Sequence, residues 1–331
     1  MALKILVIRV GRAGDMMMIT PALRALLDSY PDAEFHMLTS PDGQRVLKHY
    51  SPRLTRFFVH RRSAWLAWFH RRRLRGDIAR AGYARVFCFE LNPTFTRLYA
   101  GLPLQADAID MSRPGAHYAR RCLDVVSRAT GRGYDDYWLN LPVTEPGRAK
   151  ALAVLAGEGI DTATFVVGFH PTYSGVKKAS WRRNLAGAKL WPPGNFAELA
   201  RLLMDYGTRH DLKLRIVMDL IPEEQAVGEE IVRLSEGRVT LMVPPPDFQR
   251  YVATLERMDL LVTPDTGPMH IAAAVGTRFA ALFGGTRPED CGPYVPDTQF
   301  RVLQPAPGSH GIAGISPQQV YAACVALMSP E

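Results

Sequence analysis

The feature that most constrains this chain is an alternation of short apolar runs with segments whose apolar residues recur at helical spacing. LKILVIRV, residues 3–10, predicts a buried strand, and MMMITPALRALLDSY after it predicts a helix. The alternation continues through EFHMLTS, DGQRVLKHY, RFFVH, a basic helical segment and ARVFCFEL. Strands that alternate with helices are typical of parallel βαβ units, so this region predicts a doubly wound α/β domain.

A second set of alternating segments follows. The pattern blurs between about residues 92 and 161, with one helix predicted at AHYARRCLDVVSRATG, and it restarts at TFVVGFHP, residues 164–171. We predict a first doubly wound domain at 1–160 and a second at 161–315, with a cleft between them at the carboxyl ends of both sets of strands. SPQQVYAACVALM predicts a C-terminal helix, within 316–331, with Ser316 as its N-cap, packing back toward the first domain.

Composition limits the classes of function. Lys and Arg number 40 against 32 Asp and Glu, a net charge of +8 that indicates an anionic partner: nucleic acid, a phosphorylated sugar or an acidic membrane. The sequence has no membrane-spanning apolar run and no signal-peptide pattern, so we expect a cytoplasmic protein. The four cysteines are widely separated and predict reduced thiols without a metal site.

The first junction of interest is VIRVGRAGDMMMITPAL, where a strand passes into a helix. Gly11 and Gly14 permit a sharp turn, and Asp15 is placed at or just before the helix start. Asp15 is either an N-cap that accepts backbone N–H bonds or a functional carboxylate. The two glycines do not make a dinucleotide motif, because Arg9 stands where G-x-G-x-x-G requires glycine.

The second junction is VTPDTGPMHIAAAVGT, residues 262–277. Asp265 ends a strand, Thr266 and Gly267 can point N–H groups outward, and the following helix offers its positive end to an anion, with His270 in the first turn. The alternative is a capped helix with a buried histidine; the small-residue helix and the predicted cleft favour an anion site. Lys189, in GAKLWPPGNFAELARLL, is either solvated surface or a counter-charge for a pyrophosphate at this junction.

Together these junctions resemble the ADP-heptose lipopolysaccharide heptosyltransferases, glycosyltransferase family 9, which have the GT-B fold of two Rossmann-like domains. The resemblance rests on GDMMMITPALRAL, on GAKLWP and on DTGPMHIAAAVGT followed by ALFGGTRPEDCGPY. The last of these is specific, and the order and spacing agree along nearly the whole chain. Residues 57–148 carry little motif, as expected where an acceptor is recognised.

The resemblance implies an inverting transfer of heptose from ADP-heptose to a hydroxyl of the lipopolysaccharide inner core. It also implies that the first domain, 1–160, binds the acceptor and that the second, 161–315, binds the nucleotide-sugar donor. Asp15 matches the family's proposed general base, with Arg12 and Gly14 in the same loop facing the acceptor. Lys189 matches the phosphate lysine, Thr266 and Gly267 the pyrophosphate loop, and Asp265 and His270 flank the donor sugar and phosphates. No metal is required, although Mg²⁺ is compatible with this chemistry.

Two features qualify this picture. A carboxylate at a helix start has its charged form favoured, which makes Asp15 a weak base that acts late or partly orients the hydroxyl. MDLIPEEQAVGEE offers Glu223 and Glu224 as an acid for the ribose, with Glu224 preferred; alternatively, both complement the helix dipole.

Two basic segments are candidate contact surfaces. Residues 60–76, HRRSAWLAWFHRRRLRG, have the composition of a helix on an anionic membrane; alternatively, the aromatic side faces inward and the arginines are solvated. Residues 174–189, SGVKKASWRRNLAGAK, predict a loop that closes on donor or acceptor phosphates through its basic side chains, Lys177, Lys178, Arg182 and Arg183.

Other functions remain compatible with the residues. A GT-B transferase that uses another nucleotide sugar would carry the same phosphate loop, and a non-catalytic protein could bind a sugar nucleotide without turnover. Nucleic acid is disfavoured as a partner because no DNA- or RNA-reading motif is present.

Overall fold

The computed structural model of the chain describes residues 3–60, 67–112, 115–173, 189–306, 308–309 and 311–328. Contacts divide it into two compact units, Met1–Leu139 with Glu289–Cys291, and Asn140–Pro288 with Gly292–Glu331. Each unit contains its own parallel sheet with helices connecting the strands. The predicted α/β class, with two Rossmann-like doubly wound domains, is confirmed.

In the first unit, the described residues form a five-stranded sheet in the order β3-β2-β1-β4-β5, with parallel pairing throughout. The apolar runs form its buried strands because residues on both faces are covered by helices. The strands are β1 (Lys4–Ile8), β2 (Glu34–Thr39), β3 (Leu54–Val59), β4 (Arg85–Cys88) and β5 (Gln105–Ala108). The helices are α1 (Ala13–Met17), α2 (Thr20–Ser29), α3 (Pro41–Leu47), α4 (Ala67–Ala81) and α5 (Tyr118–Thr130).

In the second unit, the described residues form a six-stranded parallel sheet in the order β11-β10-β9-β6-β7-β8. Its strands are β6 (Phe165–Phe169), β7 (Leu214–Asp219), β8 (Val239–Met242), β9 (Leu260–Pro264), β10 (Arg278–Leu282) and β11 (Phe300–Leu303). Its helices are α6 (Glu145–Gly157), α7 (Pro193–Arg209), α8 (Gln225–Leu234), α9 (Phe248–Arg257), α10 (Gly267–Ala274) and α12 (Pro317–Met328). The short helix α11 (Pro288–Cys291) is divided: its first residue belongs to the second unit, and Glu289–Cys291 belong to the first.

Each sheet has a point at which the strand order reverses. In the first sheet the chain proceeds outward from β1 in one direction and from β4 in the other, although β1 and β4 are hydrogen-bonded neighbours. In the second sheet the same reversal falls between β6 and β9. The loops that leave such a pair of strands diverge and open a crevice, which is where doubly wound sheets bind ligands.

The structure differs from the sequence predictions in several elements. The single helix predicted after β1 is two helices, because Pro21 has no N–H to continue the backbone hydrogen bonding of α1. Helix α2 begins at Thr20, and the Thr20 hydroxyl donates to the Met17 carbonyl at 2.7 Å. Two short strands, β5 and β11, were not predicted, and neither was α6. Helix α6 packs on α9, and the second compact unit accordingly starts at Asn140, before the predicted boundary at 160.

The C-terminal helix α12 begins as predicted, with the Ser316 hydroxyl accepting the Gln319 N–H at 3.3 Å. It packs on α7 and on β10 of its own unit. Its predicted packing toward the first domain, like the assignment of the two domains to acceptor and donor, stays a prediction.

Candidate functional site

Asp15 lies just beyond β1, at the point where the first sheet reverses its strand order. It is the third residue of α1, and Arg12 occupies the N-cap position, so the interpretation of Asp15 as an N-cap is wrong. Its Oδ2 accepts the Arg12 backbone N–H at 2.8 Å, and its Oδ1 accepts from the Arg9 guanidinium at 2.8 Å. The side chain is 45% exposed, which leaves the carboxylate accessible while two donors hold it.

Gly11 makes this placement of Asp15 possible. A Cβ atom built on Gly11 would lie 2.3 Å from the Asp15 Cβ and 2.8 Å from its Cγ. Such distances are far below van der Waals contact, so the loop tolerates only glycine while Asp15 keeps its position. Gly14 and Arg12 lie in the same turn, half-buried and exposed respectively.

Two residues that the sequence analysis did not select complete this part of the site. Arg9 follows β1 directly, and its Nη1 lies 3.8 Å from the Glu90 carboxylate, which follows β4. Both are charged residues at the ends of apolar strands, a signal that could have identified them. Their proximity, however, depends on the pairing of β1 with β4, which no local pattern reveals.

The second cluster lies beyond β9, at the reversal of the second sheet. The Lys189 ammonium donates to Asp265 Oδ2 at 2.8 Å and to the Asp265 carbonyl at 3.1 Å. The Thr286 hydroxyl, from the loop after β10, donates to the same Oδ2 at 2.5 Å. Lys189 and Asp265, which were predicted separately, are therefore in direct contact, and Thr286 is an addition that the sequence analysis missed.

The start of α10 adjoins this cluster. Thr266 is the N-cap residue, and its hydroxyl donates to the Pro264 carbonyl at 3.2 Å without capping the helix. Gly267 is the first helical residue and Pro268 the second. His270 is buried in the first turn. The first N–H groups of an α-helix have no acceptor within the helix, and they carry its positive partial charge toward an anion.

The acidic candidate Glu224 lies at the same edge of the second sheet. Its Oε1 accepts the Thr172 hydroxyl at 2.6 Å, which links the segment after β7 to the segment after β6, whereas Glu223 is exposed. His170, also after β6, lies 3.4 Å from the Thr172 hydroxyl. Burial lowers the pKa of His170 although Glu224 opposes the shift, so the imidazole is neutral near pH 7.

The predicted loop residues Lys177, Lys178, Arg182 and Arg183 lie outside the described residues. The other predicted residues form two groups, each within one unit. Asp15, Arg12 and Gly14 lie together at the start of α1, whereas Lys189, Asp265, Thr266, Gly267, His270 and Glu224 lie along the carboxyl edge of the second sheet. Within the described part of the chain, no group of three or more His, Cys, Asp and Glu side chains is arranged to hold a metal ion.

Comparison with known proteins identifies relatives along most of the chain. The model of glycosyltransferase family 9 (heptosyltransferase) matches residues 95–307. The sequence is 23% identical over 336 residues to lipopolysaccharide heptosyltransferase 2 of Escherichia coli (strain K12), covering 94% of this chain and 90% of that protein. The Salmonella typhimurium protein of the same name is 23% identical over 368 residues, covering 99% of each.

Solved structures share the fold. The glycosyl transferase family 9 protein from Veillonella parvula DSM 2008 superposes with a TM-score of 0.82 at 20% identity, covering 98% of this chain and 97% of that one. E. coli ADP-heptose lipopolysaccharide heptosyltransferase II gives 0.72 at 21% identity, covering 98% of both chains. E. coli heptosyltransferase WaaC, solved with ADP, gives 0.73 at 18%, covering 98% of this chain and 100% of that one. These similarities establish a GT-B-type fold of two doubly wound domains.

Proposed function

The chain belongs to glycosyltransferase family 9, and from this premise we propose that it transfers heptose from ADP-L-glycero-D-manno-heptose to the inner core of lipopolysaccharide, with inversion at the anomeric carbon. Family membership makes the protein a glycosyltransferase. The names of its relatives, lipopolysaccharide heptosyltransferases, support heptose and lipopolysaccharide as donor and acceptor classes.

The observation that carries the proposal is the contact of Lys189 with Asp265 beside the start of α10. When the bond from the anomeric carbon to the β-phosphate oxygen breaks, ADP leaves with the electron pair and gains negative charge. A lysine ammonium and a helix N-terminus held at that point stabilise this charge without reorganisation. Contacts with Asp265 occupy two of the three N–H donors of Lys189, and we assign a third to a phosphate oxygen.

In this proposal, Asp15 is the general base. The acceptor oxygen attacks the anomeric carbon, its O–H bond breaks, and the proton passes to the Asp15 carboxylate. Half-exposed and already held by Arg9 and the Arg12 N–H, that carboxylate has a fixed orientation and remains accessible to an acceptor. A hydroxyl becomes acidic as it attacks, so even a weak carboxylate base is effective late in the step.

The same reasoning assigns residues to the ribose of the adenosine, to the donor sugar and to the phosphates. Glu224, held by Thr172, is the acid for the ribose hydroxyls. We assign Asp265 and His270 to the donor sugar and phosphates, and we assign the pyrophosphate loop to Thr266 and Gly267, the N-cap and first residue of α10. Since Lys189 and α10 supply the positive charge, the reaction requires no metal ion, and transfer in excess EDTA should match transfer with Mg²⁺.

The decisive experiment compares Asp15→Asn with the wild type. Asparagine keeps the size of the side chain but cannot take the proton, so transfer to a Kdo-lipid A acceptor should fall about 10²–10⁴-fold, the usual contribution of a general base. ADP-heptose binding, measured by calorimetry, should be unchanged. Unchanged transfer in this variant would contradict the base assignment.

The donor is tested with a panel of nucleotide sugars. Thermal stabilisation by ADP-heptose, ADP-glucose, UDP-glucose and GDP-mannose separates recognition of the nucleotide from recognition of the sugar. We expect the largest shift with ADP-heptose. A preference for the UDP- or GDP-sugar would instead favour a transferase that uses another donor, while binding without transfer to any acceptor would favour a non-catalytic sugar-nucleotide-binding protein.

We further propose peripheral contact with an anionic membrane surface on the cytoplasmic face of the inner membrane. No helix in the described ranges has the length and apolarity that crossing a bilayer requires. In α4, Leu74 and Ile78 are buried while Arg71, Arg72 and Arg73 are exposed, a polarity that supports either surface binding or plain solvation. Residues 61–66 of the candidate segment lie outside the described residues.

Replacing the three arginines by serine should reduce binding to anionic vesicles at low salt; equal binding would assign α4 to the solvated surface.

A further inference from the structure

The Arg9 side chain lies between two carboxylates at the strand-order reversal of the first sheet. Its Nη2 donates to Asp15 Oδ1 at 2.8 Å, and its Nη1 is 3.8 Å from Glu90 Oε2. The guanidinium also lies over the Tyr118 ring, 4.6 Å from the centroid. Only 11% of the Arg9 side chain is exposed, so solvent screens these interactions weakly.

Glu90 is also buried and hydrogen-bonded. Its side chain is 7% exposed, and its Oε1 accepts the backbone N–H of Val10, the residue that follows Arg9. The neighbouring Phe89 carbonyl accepts the hydroxyl of Tyr118 from α5. Arg9 is thus fixed by the ends of two adjacent strands and by a helix, whereas Asp15 is half-exposed and accessible to solvent.

The charges in this cluster are unequal in their exposure. Burial on its own would lower the pKa of Arg9, but Tyr118, Asp15 and Glu90 reverse this, and the pKa of the guanidinium is raised. Among the described residues, Tyr118 and Cys122 of α5 and Cys88 of β4 also interact with Arg9, and burial raises the pKa of each, so they are neutral near pH 7. The buried Arg9 guanidinium therefore interacts with two carboxylates, of which Glu90 is buried and Asp15 is accessible to solvent.

We propose that Arg9 and Glu90 are positioning residues for Asp15: Arg9 fixes the orientation of the Asp15 carboxylate, and Glu90 limits how much of the Arg9 charge acts on it. An unopposed cation at 2.8 Å would strongly stabilise the carboxylate and weaken it as a base. The negative charge of Glu90, on the other side of the same guanidinium, offsets part of that effect. The inference deepens the proposed function and rests on Asp15 as the base.

Glu90→Gln tests the charge without removing the side chain, because the amide oxygen can still accept the Val10 N–H. Carboxyl-¹³C labelling of aspartate reports the titration of Asp15, and the Asp15→Asn variant assigns its signal. We expect the titration midpoint of Asp15 in Glu90→Gln to fall by about one pH unit, the size of effect expected from one nearby charge. The acid limb of the kcat/KM profile should shift equally, with kcat reduced severalfold and the donor KM unchanged.

Arg9→Lys provides a second variant that keeps the charge but loses the forked geometry. We expect its Asp15 midpoint to stay within a few tenths of a pH unit of the wild type, while kcat falls about tenfold because the carboxylate is no longer held in one orientation. Asp107→Asn is the matched control. It breaks an Arg85–Asp107 ion pair of similar burial between β4 and β5, at 2.7 Å, and should lower Tm without moving either the Asp15 midpoint or the acid limb.

The outcomes separate the inference from the proposed function. If Glu90→Gln lowers Tm as the control does but leaves the Asp15 midpoint in place, Glu90 is structural and the inference is overturned. If the midpoint moves while the acid limb of kcat/KM does not, Arg9 and Glu90 control the carboxylate as inferred, and the assignment of Asp15 as the base is wrong.

Discussion

At the scale of single residues, Asp265 shows how the second unit holds a carboxylate in place. Its side chain is 8% exposed and its Oδ2 receives two donors, the Lys189 ammonium and the Thr286 hydroxyl. A buried carboxylate requires such partners, since an unpaired charge at this depth would be strongly destabilising. The three residues come from segments before α7, after β9 and after β10, so the tertiary fold assembles the group.

The Thr286 contact leads to a prediction. Thr286→Val keeps the shape but removes the hydrogen bond to Asp265, and such bonds to charged groups contribute about 1.5–3 kcal/mol. We expect kcat/KM for transfer to fall about tenfold or more, with the Kd for ADP nearly unchanged, because Asp265 loses orientation while Lys189 and α10 remain. Steady-state kinetics and calorimetry measure the two effects.

Thr286→Ser is the matched control, since serine retains the hydroxyl and should retain most of the activity. Equal activity of the valine variant and the wild type would mean that Lys189 alone orients Asp265.

The residue scale also shows what the sequence could reveal. The motifs around Asp15, Lys189 and Asp265 selected residues that the structure places at strand-order reversals, because each follows or precedes a recognisable apolar strand or helix. Arg9, Glu90 and Thr286 were missed. Arg9 and Glu90 are 81 positions apart in the sequence, and only the pairing of β1 with β4, which no local pattern encodes, brings them together.

At the scale of elements, hydrophobic periodicity predicted the strands that are buried on both faces. It missed β5, whose sequence QADA is short, partly exposed and without a long apolar residue. It also merged α1 with α2, because the apolar stripe continues past the break before Pro21. The long apolar strands, including the edge strand β3, were therefore predictable from the sequence, whereas the short edge strands β5 and β11 and the break between α1 and α2 were not.

The turn from β1 into α1 gives the prediction at this scale. In Gly11→Ala the new Cβ would lie 2.3 Å from the Asp15 Cβ, an atom close to the backbone that cannot rotate away, so α1 has to shift. We expect transfer to fall about hundredfold, in the range of lost general-base catalysis, and stability to fall by about 1–3 kcal/mol from the overpacking. Transfer rates and urea unfolding measure these changes.

Gly157→Ala is its control. Gly157 ends α6, and a Cβ there would meet nothing within 4 Å, so alanine should leave transfer intact and raise stability by up to about 1 kcal/mol. Full activity in Gly11→Ala would contradict the close approach of Asp15 to the turn.

At the scale of the whole molecule, each unit has its own core and its own reversal of strand order. Leu6, Val86 and Ile78 lie in the core of the first unit, whereas Val167, Trp191 and Val262 lie in the core of the second. Each reversal carries a different chemistry: a held, accessible carboxylate in the first unit, and a cation beside a helix N-terminus in the second. A group-transfer enzyme needs both a proton acceptor and a site for an anionic leaving group, so this division agrees with the proposed function.

The buried His170 predicts how the stability of the molecule depends on pH. Burial places the folded-state pKa of His170 below its unfolded value of about 6.5, so the folded protein binds fewer protons than the unfolded chain once the pH falls below that value. The stability of the folded state is therefore highest above the pKa of His170 in the unfolded chain, and it decreases as the pH falls from that value toward the pKa of His170 in the folded protein. The free energy of unfolding, measured with urea, should therefore decrease between pH 7.5 and 5.5. His170→Asn should show a smaller decrease, whereas replacement of the exposed His49 by Asn should leave the decrease unchanged. An equal decrease in His170→Asn and in the wild type would place the responsible proton uptake on another group.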